Sequence, residues 1–454
     1  MTANAMNVIT PAVGRMASAV SRLTGHGGSA FPGLVAERID PGFLARTLSR
    51  LPYGVVLVSG TNGKTTTTRM IATMLEDLGL RVFTNPTGSN FTRGVASALV
   101  GAVGPIGRLS ADIAVLELDE AYAVRFVAQI RPRYSVLLNV LRDQLDRFGE
   151  IDHTADLLGA VASATTGAVV LNREDPRIAS LASRASDGVD VRYFGLEKGL
   201  RALFPSDDDM HDDDLGESSS TTCGAVPSTD HADAIRADVT LASVGDHRAT
   251  FIVDGRESST DVRLEGVYNL YNAAAALAAV RAVLRSVPSE GKGPHPTDED
   301  VVRALSGVTP AFGRGESIDV DGTSVELLLV KNPMGFRLSL ASFPPQDHDT
   351  MIAICDEYAD GRDMSWLWDV DFRSLVGSGV DMVSGTRAWD MALRLEYDDV
   401  PVGSVDTDLE SAVERFVRFD PETPKHIYCT YTAMLRVRSA LAKVASVAQV
   451  GVGR

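Results

Sequence analysis

Val55–Thr68 (VVLVSGTNGKTTTT) is the stretch that decides the fold of this chain. Its apolar residues end in a turn bounded by Gly60 and Gly63, and a helical pattern begins at Lys64. This order predicts a strand, a phosphate-binding loop and a helix N-terminus, where backbone amides and the helix dipole attract an anion. In such loops the lysine reaches the terminal phosphates and a following hydroxyl, here Thr65, binds Mg²⁺. The predicted ATP-binding residues are Gly60, Thr61, Asn62, Gly63, Lys64, Thr65 and Thr66.

The length and charge of the chain limit its organisation and its partners. A chain of 454 residues is long enough for two or three domains with full apolar cores. The formal charge of −17 argues against a nucleic-acid-binding surface. Nine of the acidic residues lie between Ala202 and Ile235, a segment without Lys or Arg. The rest of the chain is therefore only moderately acidic, and we predict no nucleic-acid partner.

Cysteine usage and hydropathy indicate the compartment. Cys223, Cys355 and Cys429 lie far apart, so the sequence contains neither a disulfide framework nor a Cys-x-x-Cys metal pair. The first 28 residues lack the 7–15-residue apolar centre of a signal peptide. No segment reaches the roughly 18 apolar residues of a membrane span. We expect a soluble protein of the reducing cytoplasm.

The central part of the chain is predicted to be an α/β domain with a parallel-rich sheet. From Gly54 onward, apolar strand-like runs alternate with amphipathic helices, a pattern typical of a parallel sheet covered on both faces. We expect a helical N-terminal extension over residues 1–50 and an ATP-binding domain over residues 51–310. The predicted elements are strands Val55–Ser59, Val82–Thr84, Ile113–Leu118, Tyr134–Leu138, Ala168–Leu171, Ala237–Thr240 and Ala249–Val253, and helices Thr65–Leu78, Thr154–Ala164, Asn269–Leu284 and Asp298–Leu305.

Two features divide the remaining sequence. Residues 203–235 form an acidic, Ser-rich insertion that we predict to be disordered, because it has little apolar surface to bury. A solvated insertion is the favoured interpretation, and an acidic docking loop is the alternative. Residues 311–454 are predicted to form a smaller, Rossmann-like α/β domain. Its predicted strands are Val325–Val330, Met351–Cys355, Val380–Ser384 and His426–Tyr428, with a last helix over Thr430–Ala445.

Three motifs outside the phosphate loop suit a nucleotide. Glu117 closes an apolar strand, and a carboxylate at that place is suited to Mg²⁺, which prefers oxygen ligands. Asn269 and Asn272 lie three residues apart at a helix start, where amides suit the polar edge of adenine; Asn269 would cap the helix equally well. Arg314, between two glycines at the domain boundary, offers a guanidinium to a γ-phosphate.

Together with Leu171–Pro176 (LNREDP), these motifs resemble the central and C-terminal domains of the Mur ligases, a superfamily that includes folylpolyglutamate synthases. Three further stretches are similar to the MurT family within it: Asn139–Glu150, Lys331–Pro333 and Asp356–Asp369. The resemblance extends from about Phe31 to about Ala445. It implies a central phosphate-loop domain followed by a smaller C-terminal domain that contacts a partner.

The resemblance also implies an activity. MurT proteins use ATP and Mg²⁺ to amidate the α-carboxylate of D-isoglutamate in the lipid II stem peptide, through an acyl phosphate, at the inner face of the cytoplasmic membrane. Ammonia comes from a GatD-like glutaminase in a heterodimer. By the resemblance, Asp363 is the catalytic residue that serves as the acid of the partner's triad and orients its histidine. For the neighbouring Asp356 and Asp360, capping of turns and of the following helix is the simpler role.

The sequence departs from related proteins at two places. Gln144 stands where many Mur ligases have a metal-binding histidine, which puts a second Mg²⁺ in doubt. Many MurT proteins carry a four-cysteine zinc ribbon in the central domain, whereas this chain offers only Cys223, with His211 and His231 nearby. Because structural zinc needs four closely spaced ligands, we predict no zinc.

Two other functions fit part of the sequence. A stand-alone ligase that adds an amino acid is disfavoured, because the chain has no room before Val55 for a nucleotide-sugar-binding domain and carries the Asp-Gly-Arg-Asp-x-Ser-Trp motif. A non-enzymatic scaffold switched by ATP is the second alternative. ATP turnover that depends on lipid II would exclude the scaffold.

Overall fold

The computed structural model describes residues 3–23, 31–85, 90–104, 107–141, 151–203, 232, 234–245, 248–263, 267–286, 295–308, 314–357 and 360–445. These residues form two compact units. The first unit holds the described residues up to Val308, and the second holds those from residue 314 onward. Leu141 and residues 267–268 group with the second unit.

The first unit has the strand–helix alternation expected of an α/β domain. Its helices are α1 (Ala3–Leu23), α2 (Phe31–Ile39), α3 (Phe43–Leu48), α4 (Lys64–Asp77), α5 (Thr92–Ala102), α6 (Glu120–Val127), α7 (Ile151–Ala164), α8 (Pro176–Ser180), α9 (Val267–Arg285) and α10 (Asp298–Arg303). Its strands are β1 (Val55–Ser59), β2 (Val82–Thr84), β3 (Ile113–Glu117), β4 (Tyr134–Leu137), β5 (Ala168–Asn172), β6 (Asp190–Leu196), β7 (Val239–Gly245), β8 (Arg248–Val253) and β9 (Arg256–Asp261).

The nine strands form one sheet in the order β2-β3-β1-β4-β5-β6-β7-β8-β9. Pairing is parallel from β2 to β7 and antiparallel from β7 to β9. All five residues of β1 are buried because both faces of the sheet are covered. Val56 and Val58 contribute to one core, with α4 and α9, whereas Val55 and Leu57 contribute to the other, with α3 and α5. This double burial fixes the strand that leads into the phosphate loop.

Helices at both ends of the first unit complete its two cores. In α9, the run Ala273–Ala276 is fully buried, as expected of a helix that is apolar on all sides. The N-terminal helices α1 and α2 pack on α5. Arg15 of α1 donates hydrogen bonds to the carbonyl oxygens of Val100 and Val103 (3.2 and 2.5 Å), which stabilises the C-terminal end of α5.

Three strands of the first sheet differ from the sequence prediction, which omitted β6 and β9 and gave β7 other bounds. The prediction omitted β6, because Asp190 and Arg192 interrupt its apolar pattern; in the structure Arg192 pairs with Asp190 and Asp238. The predicted strand Ala237–Thr240 begins too early and ends too soon, since β7 runs from Val239 to Gly245. Asp238 is used as a side-chain partner of Arg192 and of the Tyr193 amide, immediately before the strand begins.

The second unit is a smaller α/β sheet. Its strands are β10 (Arg314–Val320), β11 (Thr323–Leu329), β12 (Asp349–Ala353), β13 (Val380–Ser384), β14 (Val402–Asp406) and β15 (Lys425–Cys429), and its helices are α11 (Pro333–Ser342), α12 (Ala388–Tyr397), α13 (Leu409–Arg418) and α14 (Tyr431–Leu441). The strand order is β10-β11-β15-β12-β13-β14, with only the β10–β11 pair antiparallel. The prediction omitted both edge strands: β10, in which charged residues interrupt the apolar ones, and β14, which has much exposed surface and no apolar run. No helix in the described ranges is long and apolar enough to cross a membrane.

A buried lysine joins two elements of the second unit. Lys425 begins the central strand β15, and its side chain is fully buried. Its ammonium donates to Asp349 Oδ2 (2.5 Å) and to the carbonyl oxygens of Phe419 and Asp420 (2.5 and 3.1 Å). Removal of the lysine would leave a carboxylate and two carbonyls without this donor. The loss of free energy of unfolding when the pair is broken is therefore larger than the net stabilisation that the pair provides.

We predict that Lys425→Met lowers the free energy of unfolding of the second unit by about 3 kcal/mol. All three tryptophans, Trp366, Trp368 and Trp389, lie in that unit, so guanidinium unfolding followed by tryptophan fluorescence measures its stability selectively. Lys443→Met is the matched control, because Lys443 forms an exposed pair with Glu410 and its loss should leave the unfolding midpoint unchanged. Equal midpoints for the two variants would contradict the assigned role of Lys425.

Candidate active site

The predicted phosphate loop connects the buried strand β1 to the N-terminus of α4. Gly60 and Gly63 have positive φ angles, 128° and 87°, which L-residues with a side chain rarely adopt. Space at both glycines is also limited. A Cβ on Gly63 would lie 2.5 Å from Asn272 Oδ1, and one on Gly60 would lie 3.0 Å from the backbone of Asn139. Conformation and close approach together explain why glycine occupies both positions.

Asn139, just after β4, holds the phosphate loop in place. Its Oδ1 accepts a hydrogen bond from the Asn62 amide (2.8 Å), and its Nδ2 donates to the Asn62 carbonyl (3.1 Å). Its own carbonyl accepts from the Thr61 amide (3.0 Å). The loop is thus anchored to the segment that follows the next strand of the sheet. The first amides of α4 come directly after this anchored loop, and they have no acceptor within the helix.

Lys64 is buried and lies over the loop that precedes it. Its Nζ donates to the carbonyls of Gly60 (2.7 Å) and Thr61 (3.2 Å). It also lies 3.1 Å from Asp119 Oδ1 and 3.8 Å from Glu120 Oε2. The ammonium therefore already lies among oxygen atoms, in a position where phosphate oxygens could replace the loop carbonyls.

Glu117, a predicted Mg²⁺ ligand, is buried at the end of β3, next to β1 in the sheet. Asn85 fixes its backbone on both sides: Asn85 Oδ1 accepts from the Glu117 amide, and Asn85 Nδ2 donates to the Glu117 carbonyl, both at 3.0 Å. Thr65, the other predicted ligand, is half-buried in the first turn of α4. The next hydroxyl, Thr66 Oγ1, is buried and has no hydrogen-bond partner among the described residues.

The start of α9 lies directly against the phosphate loop. Asn272 contacts Gly63, as the space at that glycine shows, and Asn269 lies one turn earlier; both side chains are buried. Tyr271, between them, donates a hydrogen bond to Asn172 Oδ1. Burial, with a contribution from Glu174, raises the pKa of the Tyr271 phenol well above its usual value, so it remains a donor at neutral pH.

The LNREDP motif links the strand ends around the loop. Asn172 Nδ2 donates to the Leu138 carbonyl (2.8 Å), and Asp175 Oδ2 accepts from the Val140 amide (2.8 Å). Asp175 Oδ1 also accepts from the first two amides of α8, Arg177 and Ile178. These contacts lie on either side of Asn139 in the chain, so they stabilise the segment that anchors the loop.

The sequence analysis did not predict that two further residues, Asn139 and Asp119, contact the phosphate loop or its lysine. Both follow strands, β4 and β3, whose carboxyl ends lie beside β1 in the sheet. The rule that singled out Glu117, that polar residues at these strand ends face a ligand, applies equally to them. Asp119 is held by Lys64 and by Asn90 Nδ2, which donates to its Oδ1 at 2.8 Å.

In the second unit, Asp363 lies exposed in the connection from β12 to β13. Its Oδ1 accepts a hydrogen bond from the Ser365 amide (2.9 Å), which holds the pKa of Asp363 below its usual value and keeps the carboxylate charged. Arg314 begins β10, and the structure describes its backbone only. Both residues belong to the second unit, whereas the phosphate loop belongs to the first.

The two aspartates near Asp363 hold the same connection in place. Asp356 accepts hydrogen bonds from Thr386 Oγ1 and from Arg387 Nε, both at 2.8 Å. Asp360 is buried, and its Oδ1 accepts from the amide of Thr432 in the first turn of α14 (2.7 Å). The expectation that Asp360 caps a turn is confirmed, since its Oδ2 accepts from the Glu357 amide (3.2 Å). The expectation that it caps the following helix is wrong, since the capped helix comes about seventy residues later in the chain.

Some predicted features lie outside the described residues: Gln144, Cys223, His211, His231 and nearly all of the insertion 203–235. Among the residues that the structure does describe, no group of three or more His, Cys, Asp or Glu side chains is arranged to hold a metal ion. Cys355 and Cys429 are buried free thiols. Burial raises the pKa of Cys429 far above its usual value, which makes that thiol unreactive.

Comparisons with known proteins identify relatives of both units. A family model for the Mur ligase middle domain matches residues 58–280, and one for the MurT ligase C-terminal region matches residues 329–434. The Streptococcus pneumoniae lipid II isoglutaminyl synthase (glutamine-hydrolyzing) subunit MurT is 31% identical over 440 residues, covering 91% of this chain and 92% of the relative. The subunit of the same name from Staphylococcus aureus is 28% identical over 406 residues, covering 86% and 87%.

Solved structures agree with the fold. MurF ligase from Thermotoga maritima, solved in complex with ADP, superposes with a TM-score of 0.63 at 16% identity, covering 89% of this chain and 83% of the ligase. At this identity the likeness concerns the fold alone. It confirms the predicted fold class, a Mur-ligase-like α/β architecture with parallel-rich sheets.

We predict that Asn139→Ala weakens ATP binding at least tenfold, because the loop loses both side-chain hydrogen bonds that anchor Asn62. Calorimetric titration of the purified chain with ATP measures the effect. Asn7→Ala is the matched control: Asn7 is a buried amide of α1 in the same unit, and its loss should lower the melting temperature without changing the affinity for ATP. Wild-type affinity in Asn139→Ala would show that the loop does not depend on this anchor.

Proposed function

The chain belongs to the MurT family of the Mur ligase superfamily, and on that premise we propose that it is the synthetase subunit of a lipid II isoglutaminyl synthase. In this proposal it uses ATP to amidate the α-carboxylate of D-isoglutamate in the lipid II stem peptide, which gives D-isoglutamine. The observation that carries the proposal is 31% identity to a MurT subunit over 91% of the chain, together with an intact phosphate loop. The reaction would take place at the inner face of the cytoplasmic membrane.

The phosphate loop fits the triphosphate of ATP. Gly63 brings the loop close to Asn272, because a Cβ there would lie 2.5 Å from Asn272 Oδ1, and the buried Thr66 hydroxyl has no protein partner in the described structure. The N-terminal amides and dipole of α4 favour negative charge at the same place. Lys64 would exchange its contacts with the Gly60 and Thr61 carbonyls for phosphate oxygens. Asn272, against Gly63, and Asn269 would bind the nucleotide. The role of Arg314 at the γ-phosphate stays a prediction from the sequence.

Thr65 and Glu117 are suited to hold Mg²⁺. One is a hydroxyl in the first turn of α4 and the other a buried carboxylate at the adjacent strand end, and hard cations prefer such oxygen donors. When bound, the ion would neutralise charge on the phosphates. The two hydrogen bonds from Asn85 fix the backbone of Glu117 at the strand end without metal.

The chemistry requires two displacements. A carboxylate is a poor electrophile, so an α-carboxylate oxygen of the substrate first attacks the γ-phosphorus and ADP leaves. Ammonia then attacks the carbonyl carbon of the acyl phosphate; the C–O bond to phosphate breaks, and the nitrogen loses a proton as the amide forms. Lys64 stabilises the charge that develops on the transferring phosphoryl group, an electrostatic role typical of such lysines.

Ammonia needs a source, which we assign to a GatD-like glutaminase subunit. The relatives carry the words "glutamine-hydrolyzing" and "subunit" in their names. In this chain the two described thiols, Cys355 and Cys429, are buried and poorly placed for nucleophilic attack. The partner would supply a cysteine and a histidine, and the exposed, charged Asp363 would orient that histidine and stabilise its imidazolium.

We predict that the chain, supplied with lipid II, ATP, Mg²⁺ and ammonium, yields amidated stem peptide, measured by mass spectrometry. Lys64→Ala should lower the rate at least about a hundredfold through lost stabilisation of the transition state. Lys198→Ala removes an exposed lysine of the same unit and should retain the wild-type rate. A product extended by an amino acid, when amino acids replace ammonium in the mixture, would support the stand-alone ligase, and a wild-type rate in Lys64→Ala would refute the role of Lys64.

We predict that Asp363→Asn abolishes amidation driven by glutamine while amidation driven by free ammonium continues, because this carboxylate serves the thiol chemistry of the partner. The measurement compares the two nitrogen sources in the complex of both subunits. Asp347→Asn removes another exposed aspartate of the second unit and should leave both rates unchanged. Equal losses with glutamine and ammonium in Asp363→Asn would place this residue in the ligase site or in the stability of the fold.

A further inference from the structure

Helix α12 of the second unit is apolar on two sides, and the fold covers only one of them. Ala388, Met391 and Leu395 are buried in the core. On the other side, Trp389, Leu393 and Tyr397 are 67%, 49% and 70% exposed. Because they lie four residues apart, these three side chains share one helix face. Large aromatic residues in such an exposed row indicate a surface that a partner covers.

The exposed row continues beyond the helix. Trp368, 49% exposed, packs edge-on against Tyr397, with ring centroids 5.0 Å apart. At the other end of the exposed row, Trp389 and Leu393 line a groove of about 620 Å³ between α12 and the edge strand β14. We call Trp368, Trp389, Leu393 and Tyr397 the α12 patch. Two of the three tryptophans of the chain belong to it.

Helix α12 is hydrogen-bonded to the connection that carries Asp363. Before Asp363, Asp356 accepts hydrogen bonds from Thr386 and Arg387 at the start of α12. After Asp363, the buried Arg394 of α12 donates to the carbonyls of Leu367 (3.2 Å) and Val370 (2.6 Å). The connection is therefore tied to α12 on both sides of Asp363. These hydrogen bonds fix its position relative to the helix that carries the patch.

The charged residues around the patch limit which kinds of partner can bind it. Asp369, Asp390, Glu396 and Asp399 are exposed next to its residues, and Arg387 is already paired with Asp356 and Asp390. An anionic membrane surface would be repelled by this acidic rim. A second copy of the chain would bring two acidic rims together, which is also unfavourable. A different protein with an apolar recess and a basic rim fits the patch.

We propose that the α12 patch is the docking surface of the glutaminase subunit, an inference that rests on the function proposed above. Trp and Tyr are the residue types that most often dominate binding energy at protein interfaces, when they insert into pockets of the partner. Docking here would bring the partner onto the helix to which the connection carrying Asp363 is hydrogen-bonded. Trp389 and Leu393 would provide most of the affinity, and the acidic rim would select the orientation.

The test is calorimetric titration of the full-length chain with the glutaminase subunit from the same organism. Trp389→Ala should weaken binding about thirtyfold, the equivalent of losing an interface hot spot. Leu393→Gln, a milder exposed change, should weaken it in the same direction. Phe419→Ala is the matched control: Phe419 is 56% exposed in the same unit but lies outside the patch, and its loss should change the affinity less than threefold. Thermal unfolding of each variant reports whether the fold is intact.

The outcomes separate this inference from the proposed function. Wild-type affinity in both Trp389→Ala and Leu393→Gln would overturn the docking surface, while glutamine-dependent amidation by the wild-type complex would still support the function. Concentration-dependent dimerisation of the chain that Trp389→Ala abolishes would assign the patch to a second copy and also overturn the inference. A wild-type chain that amidates with ammonium but binds no glutaminase would overturn both the partner assignment and the docking surface.

Discussion

The seating of the phosphate loop on the end of β4 is the constraint on which the rest of the site depends. Strand β1 is buried on both faces, so it delivers Gly60 to one fixed place at the carboxyl edge of the sheet. Asn139 then anchors both backbone groups of Asn62. Because the loop is held in this way, the amides at the N-terminus of α4 already point toward the phosphate-binding position, and they need not reorganise when a phosphate binds. Lys64, Glu117 and Asn272 all take their positions from this loop or from elements packed beside it.

Much of this arrangement could be predicted from sequence because local patterns encode it. The glycines, Lys64 and the apolar run before them form one continuous stretch, and the structure has the strand, loop and helix in that order. Contacts between residues distant in sequence could not be predicted in the same way. The pairing of Lys64 with Asp119 joins residues 55 positions apart, and the contact of Asn272 with Gly63 spans more than 200. Such contacts depend on strand order, which the local pattern does not specify.

Elements that violate the local pattern were also missed, for an identifiable reason. Strand β6 tolerates Asp190 and Arg192 because Arg192 pairs with both Asp190 and Asp238. Strand β14 lies at the sheet edge, where exposed residues replace the apolar run. In the second unit the local motif around Asp363 indicated a functional connection, yet only the structure shows that Arg387 and Arg394 tie this connection to α12. The motif around Asp363 and the arginines that hold it in place are thus encoded in different parts of the chain.

The central claim is that the chain activates a carboxylate as an acyl phosphate, and oxygen transfer tests it most directly. Lipid II whose D-isoglutamate α-carboxylate is labelled with ¹⁸O would be incubated with the chain, ATP, Mg²⁺ and ammonium. The released inorganic phosphate would then be analysed by mass spectrometry. The account predicts one ¹⁸O atom in each phosphate formed with amide, because the bridging oxygen leaves with the phosphoryl group. Amide formation with unlabelled phosphate would contradict it.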